Sequence, residues 1–164
     1  MTLAELNASG RADFVKAAGW IFEDSPWVAE RTWPRRPFQS VDALHAAMIA
    51  IVESAADDER LALLRAHPDL GARARMSDAS IGEQRGAGLD CLTRDEFERL
   101  QQMNAEYRAR FGFPFLFAVK GSTKEDVLAA LDRRRVAAPD EERAEAMRQV
   151  YRIARFRLDE LIRD

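Results

Sequence analysis

The apolar residues of this chain recur with a helical period almost from one end to the other, and that restricts the fold more than any single motif does. Phe14, Ala17, Ala18 and Ile21 fall at i, i+3, i+4 and i+7 and predict a helix over about Gly10 to Asp24. Ser25-Pro26 reads as a cap followed by proline at the first helical position, starting a short helix through Trp33. Leu44, Ala47, Met48, Ile51, Val52 and Ala55 form a second stripe after Ser40. Asp57-Asp58 can cap the next helix, with Leu61, Leu63 and Leu64. Pro68 disfavours helical geometry at His67, so that helix should stop at about Ala66. Thr93 with Glu96, and Ser122 with Glu125, have the spacing of capping boxes. Thr93 opens a helix with Phe97, Leu100, Asn104, Tyr107 and Phe111, and Pro139 begins a last one with Met147, Tyr151, Ala154, Leu158 and Leu161 inward. The expected fold is all-α: a single-domain bundle of about eight helices over residues 1–164.

One stretch breaks the period. Phe111-Gly112-Phe113-Pro114-Phe115-Leu116-Phe117-Ala118-Val119 is apolar and β-prone, yet no second strand is available to pair with it. An irregular extended segment is expected over about 111–121. Its buried amides and carbonyls need partners. They can be met by helix ends and water in a plain core linker, or by a polar ligand if the segment lines a pocket.

A chain of 164 residues is long enough to bury a core, and 47% apolar with 32% charged residues is the composition of a globular domain. A net charge of −3 gives no reason to expect nucleic acid or an anionic membrane as partner. No apolar run approaches the roughly 20 residues that span a bilayer. The N-terminus lacks signal-peptide features, and Leu161-Ile162-Arg163-Asp164 is not a peroxisomal address, so a cytoplasmic protein is expected. The single cysteine, Cys91, rules out an intrachain disulfide; between Asp90 and Leu92 it reads as a packed thiol.

Few residues can carry chemistry. Of the two histidines, His45 sits mid-helix and suits a solvated or core-edge role. His67 stands where a helix must stop, beside a proline and two residues before Asp69, which could orient the ring. It fits equally a catalytic imidazole and a C-terminal histidine that merely balances the helix dipole. Ser80-Ile81-Gly82-Glu83-Gln84 is open in the same way. Ser80 with Glu83 is a possible capping box, while Gly82 in the first turn suggests a close approach and Gln84 offers both donor and acceptor. Arg157 flanks the buried stripe of the last helix and needs a carboxylate, carbonyls or an anionic ligand. There is no phosphate loop, no zinc-hydrolase spacing and no nucleophile elbow.

Together these residues resemble the 2-oxo-4-hydroxy-4-carboxy-5-ureidoimidazoline (OHCU) decarboxylases. The resemblance runs through Ser25-Pro26-Trp27-Val28-Ala29-Glu30, Arg36-Pro37-Phe38, Ala66-His67-Pro68-Asp69-Leu70-Gly71, Ser80-x-x-Glu83-Gln84 and Ala87-Gly88-Leu89. It continues through Asn104-x-x-Tyr107, Phe111-Gly112-Phe113-Pro114-Phe115 and Ile153-x-x-x-Arg157-Leu158, covering nearly the whole chain in order. The chain departs from that pattern at Val136-Ala137-Ala138-Pro139, where an asparagine is usual, and at Gly71 and Gly82, where alanine-like residues are commoner.

The resemblance implies an all-α enzyme that needs no cofactor and no metal. It would convert OHCU to (S)-allantoin and carbon dioxide in uric acid degradation, commonly as a homodimer. It implies His67 and Glu83 as catalytic groups. Pro68, Ser80, Gln84, Arg157 and the segment Phe115, Leu116, Phe117, Ala118 and Val119 would bind substrate. Two other readings stay open: a related helical enzyme acting on another ureido or imidazoline compound, and a non-catalytic helical interaction domain in which these residues are caps and ion pairs.

Overall fold

The computed structural model describes residues 1–71 and 78–163; the side chains of residues 78–81 lie outside that description. Among the described residues there are nine α-helices and no strand. They are α1 (Leu3–Ala8), α2 (Arg11–Ala18), α3 (Trp27–Thr32), α4 (Val41–Glu53), α5 (Asp57–Ala66), α6 (Asp78–Gly86), α7 (Arg94–Phe111), α8 (Lys124–Arg134) and α9 (Pro139–Leu161). The chain divides into two compact units, and the division falls within α9.

The first unit comprises residues 1–66 and 151–164. Its helices bury Leu6, Phe14, Val28, Leu44, Met48, Val52, Leu63 and Leu64, joined by Ala154 and Leu158 of α9. α2 and α4 both pack on α3. The helix expected over Gly10 to Asp24 ends at Ala18. Ile21, Phe22 and Glu23 are all buried, which three consecutive residues on a one-sided helix cannot be, so the chain turns there with Asp24 at φ 40°. Ser25 does not cap α3 through its side chain: Pro26 holds the cap position, and Ser25 contributes its carbonyl to Val28 N–H. α1, opened by a capping box between Thr2 and Glu5, goes beyond the elements expected. Asp57 and Asp58 lie inside the first turn of α5, where they face the helix dipole.

The second unit comprises residues 67–150. Leu100, Tyr107, Phe113, Phe115, Val127, Leu131, Ala146 and Val150 form its core. The Thr93–Glu96 capping box opens α7 as expected. Phe97, on this helix as expected, is one of the exposed large hydrophobic residues. The box before α8 is one residue later than expected, made by Thr123 and Asp126. α7 ends at Gly112, at φ 79°, a left-handed conformation that glycine adopts without a Cβ penalty. Residues 113–119 then run as an irregular segment without a pairing strand. Cys91, expected to pack, is exposed: in the turn before α7 it is Ala87 and Leu89 that turn inward.

Candidate functional site

α5 ends at Ala66, as Pro68 requires, and leaves His67 buried at 5% exposure directly after the helix. The turn that follows is clamped from two helices. Asn104 of α7 donates from Nδ2 to the Leu70 carbonyl at 3.0 Å, and the Gly71 N–H donates to Oε1 of Gln84 in α6 at 2.8 Å. Gly71 sits at φ 77°, with the Leu100 side chain 2.7 Å from where a Cβ would stand. Asp69 does not orient the imidazole. Its carboxylate pairs with Arg108 at 3.0 Å, since α7 offers a guanidinium on that side of the turn. Oδ1 of Asn104 is buried and has no hydrogen-bond partner among the described residues. A cavity of about 370 Å³ adjoins the turn at Gly71, but none of the expected site residues is in its described lining.

Gln84 is buried on α6 and Glu83 half-buried. The Ser80 side chain lies outside the described residues, and with it the proposed Ser80–Glu83 box. Among the described residues nothing stands within 4 Å of where a Cβ of Gly82 would be, and none of them makes the close approach expected there.

The extended segment is held by buried polar side chains from two helices. Arg134 of α8 donates from Nη1 to the Leu116 carbonyl at 2.7 Å, and Gln149 of α9 accepts from the Ala118 N–H at 2.8 Å. Arg134 also binds Oε1 of Glu142 through Nε at 2.8 Å and Nη2 at 2.5 Å, and the Tyr107 hydroxyl donates to the same oxygen at 2.5 Å. The guanidinium lies 4.6 Å from the Phe115 ring centre. Burial, then the hydrogen bond to Glu142, push the Tyr107 phenol well above its ordinary range. Part of the backbone need foreseen for this segment is therefore met by buried polar side chains from two helices. Leu116, Ala118 and Val119 are buried, as is Phe115, and Phe117 is half-buried.

Arg157 belongs to the first unit and is buried at 1% exposure. Its Nη2 donates to Oε2 of Glu23 at 2.8 Å and its Nη1 to the Trp20 carbonyl at 3.2 Å. His45 takes a core-edge place, with Nε2 2.8 Å from the Tyr151 carbonyl oxygen. Sequence reasoning missed Glu23, Arg134, Glu142 and Gln149 as parts of the design. Arg134 reads as one of a surface run of arginines and Glu142 as an ordinary acid at a helix start; burial, which distinguishes them, has no local signature. Among the described residues, no group of three or more His, Cys, Asp or Glu residues converges as a metal centre.

A sequence model of the OHCU decarboxylase family matches residues 7–159. A 2-oxo-4-hydroxy-4-carboxy-5-ureidoimidazoline decarboxylase of Haloferax volcanii is 48% identical over 160 residues, covering 98% of this chain and 95% of that protein. A uric acid degradation bifunctional protein of Bacillus subtilis is 43% identical over 98% of this chain, which spans 33% of that longer protein. Among solved structures, an (S)-allantoin synthase superposes with a TM-score of 0.83 at 36% identity, over 99% of this chain and 54% of that one. Matched over most of its length by the family and by these relatives, and all-α as the resemblance implied, the chain belongs to the OHCU decarboxylase family.

Proposed function

We propose that this protein decarboxylates 2-oxo-4-hydroxy-4-carboxy-5-ureidoimidazoline to (S)-allantoin and carbon dioxide, without a cofactor, as a cytoplasmic homodimer with one catalytic domain. The 48% identity to the Haloferax volcanii decarboxylase over nearly the full length of both proteins carries the reading. The buried His67, set immediately after a helix end on a turn clamped by Gln84 and Asn104, supports it from the geometry.

Loss of carbon dioxide leaves an electron pair on the ring carbon, and the adjacent C=N bond of the substrate accepts it. The protein's task is then orientation and proton transfer. Neutral His67 takes the proton of the ring hydroxyl as the C–C bond to the carboxylate breaks. The hydroxyl carbon becomes the ring carbonyl of allantoin. The imidazolium so formed, or a water that it holds, returns a proton to the neighbouring carbon and fixes its configuration, while a proton from solvent neutralises the ring nitrogen that took up the electron pair.

Glu83 and Gln84 hold ureido and ring N–H groups in this reading. Ser80 holds a carbonyl or carboxylate oxygen, and Pro68 and the backbone of Phe115, Leu116, Phe117, Ala118 and Val119 complete the substrate site. The test is to generate OHCU freshly from urate and follow optical activity. Faster formation of (S)-allantoin than by spontaneous decay is expected; a rate equal to spontaneous decay would remove the proposal.

A further inference from the structure

The extended segment has two edges: among the described residues, side chains reach one of them, and on the other the Val119 carbonyl accepts from Ser122 N–H at 2.9 Å. In an extended chain each residue turns its N–H and C=O to one edge and the next residue turns its own to the other. The Phe115 and Phe117 rings stack at 6.1 Å and 15°, which places residues two apart on one face, as an extended backbone requires. The two bonds that α8 and α9 make to the segment go to the Leu116 carbonyl and the Ala118 N–H, both of the same parity. The N–H and C=O of Phe117 turn to the opposite edge, where no hydrogen bond from the described residues reaches them.

We propose that Gln149 and the Arg134–Glu142 pair are positioning residues of the decarboxylase site. By engaging Ala118 N–H and Leu116 C=O, they fix the segment's rotation so that Phe117 presents its donor and acceptor side by side to the ureido or lactam group of the substrate. This rests on the proposed function, because the segment is assigned to substrate there. Both anchors are themselves held. Gln149 donates from Nε2 to Glu145 at 2.7 Å, and Arg134 is fixed by Glu142, which also accepts from Tyr107. Arg134, Glu142 and Gln149 are each at most 6% exposed, so water offers little competition for these bonds. A backbone edge selects for an adjacent N–H and C=O in the ligand and gives no preference to a ligand that presents only acceptors.

Substituting Arg134 strands the Glu142 carboxylate and reports mainly on folding, so the test is on Gln149. Gln149→Leu removes the acceptor for Ala118 N–H. The double variant Glu145→Gln/Gln149→Glu reverses the Glu145–Gln149 bond while keeping an oxygen acceptor at position 149. In steady-state assays on fresh OHCU, Gln149→Leu should lose about tenfold or more in kcat/KM, mostly through KM, and the double variant should recover most of that loss.

Should Gln149→Leu fail to fold, amide exchange on the wild-type protein decides the matter. Ala118 N–H should exchange slowly with or without (S)-allantoin, and Phe117 N–H should gain protection only when (S)-allantoin is added. Unchanged kinetics in a folded Gln149→Leu protein would overturn the inference, as would protection that appears on Ala118 rather than on Phe117. So would a double variant as impaired as the leucine variant. Wild-type protein without OHCU turnover would instead overturn the proposed function.

Discussion

Arg157 and Glu23 form an ion pair at 2.8 Å, with side-chain exposures of 2% and 3%, inside the first unit. The last helix supplies the cation and the turn after α2 the anion. At this depth neither charge can be left alone cheaply. Breaking a buried pair from one side costs about 3–5 kcal/mol, because the remaining ion is stranded in a poor solvent for charge. Glu23→Gln should therefore lower the unfolding free energy by about that amount, read from urea denaturation with unchanged slope. A loss below about 1 kcal/mol would mean that water reaches Arg157 and that the pair is not the anchor it looks.

His67→Ala tests the catalytic assignment. Removing an acid–base group typically costs about 10²- to 10⁴-fold in rate. Turnover of fresh OHCU should fall by that range, with the helical circular dichroism retained. Near-wild-type turnover would return His67 to the role of a helix-end histidine.

Both tyrosines of the chain carry raised phenol pKa values, each through burial first and a hydrogen bond to a glutamate second: Tyr107 to Glu142, and Tyr151 to Glu53. A phenol raised on folding is more readily ionised in the unfolded chain. The stability it contributes is complete below the unfolded value of about 10 and is lost as pH rises beyond it. Tyrosinate absorbance in an alkaline titration should therefore appear together with the loss of helical signal. A tyrosinate signal near pH 10 in a protein that is still folded would contradict both assignments.

The two glycines that flank the candidate site should respond in opposite ways to alanine. Gly71 holds φ 77° and a Cβ there would stand 2.7 Å from the Leu100 side chain, so Gly71→Ala should cost about 1–2 kcal/mol in backbone strain, besides displacing Leu100. Gly82 is a helical residue with no described atom within 4 Å of a Cβ position, and Gly82→Ala should add about 0.5–1 kcal/mol of stability. Thermal melts of the two variants check this. Equal shifts of the same sign would mean that the turn at Gly71 is not the one described.

Much of this protein is legible in its sequence because the deciding interactions are local. The helical period of Leu44, Met48, Ile51 and Val52, the Thr93–Glu96 box, Pro139 at a helix start and the clash that Pro68 imposes on His67 all act within a few residues, and each stands where expected. The ordered motifs likewise pointed to the family that the comparisons show. Where a local signal had a near-equivalent neighbour, the structure chose between them, as with Thr123 over Ser122 before α8.

Tertiary structure decided the rest, because burial and charge pairing depend on residues far apart in the chain. Ile21, Phe22 and Glu23 fit a helical stripe only until all three must be buried, and the helix ends at Ala18 instead. Asp69 stands beside His67 in sequence but is drawn to Arg108, 39 residues on. The polar anchors of the extended segment, Arg134 and Gln149, come from 18 and 31 residues beyond the backbone groups they hold. A sequence pattern records which side chains repel water. It does not record which buried donor will meet which acceptor, since that free energy exists only once the fold has excluded water from both.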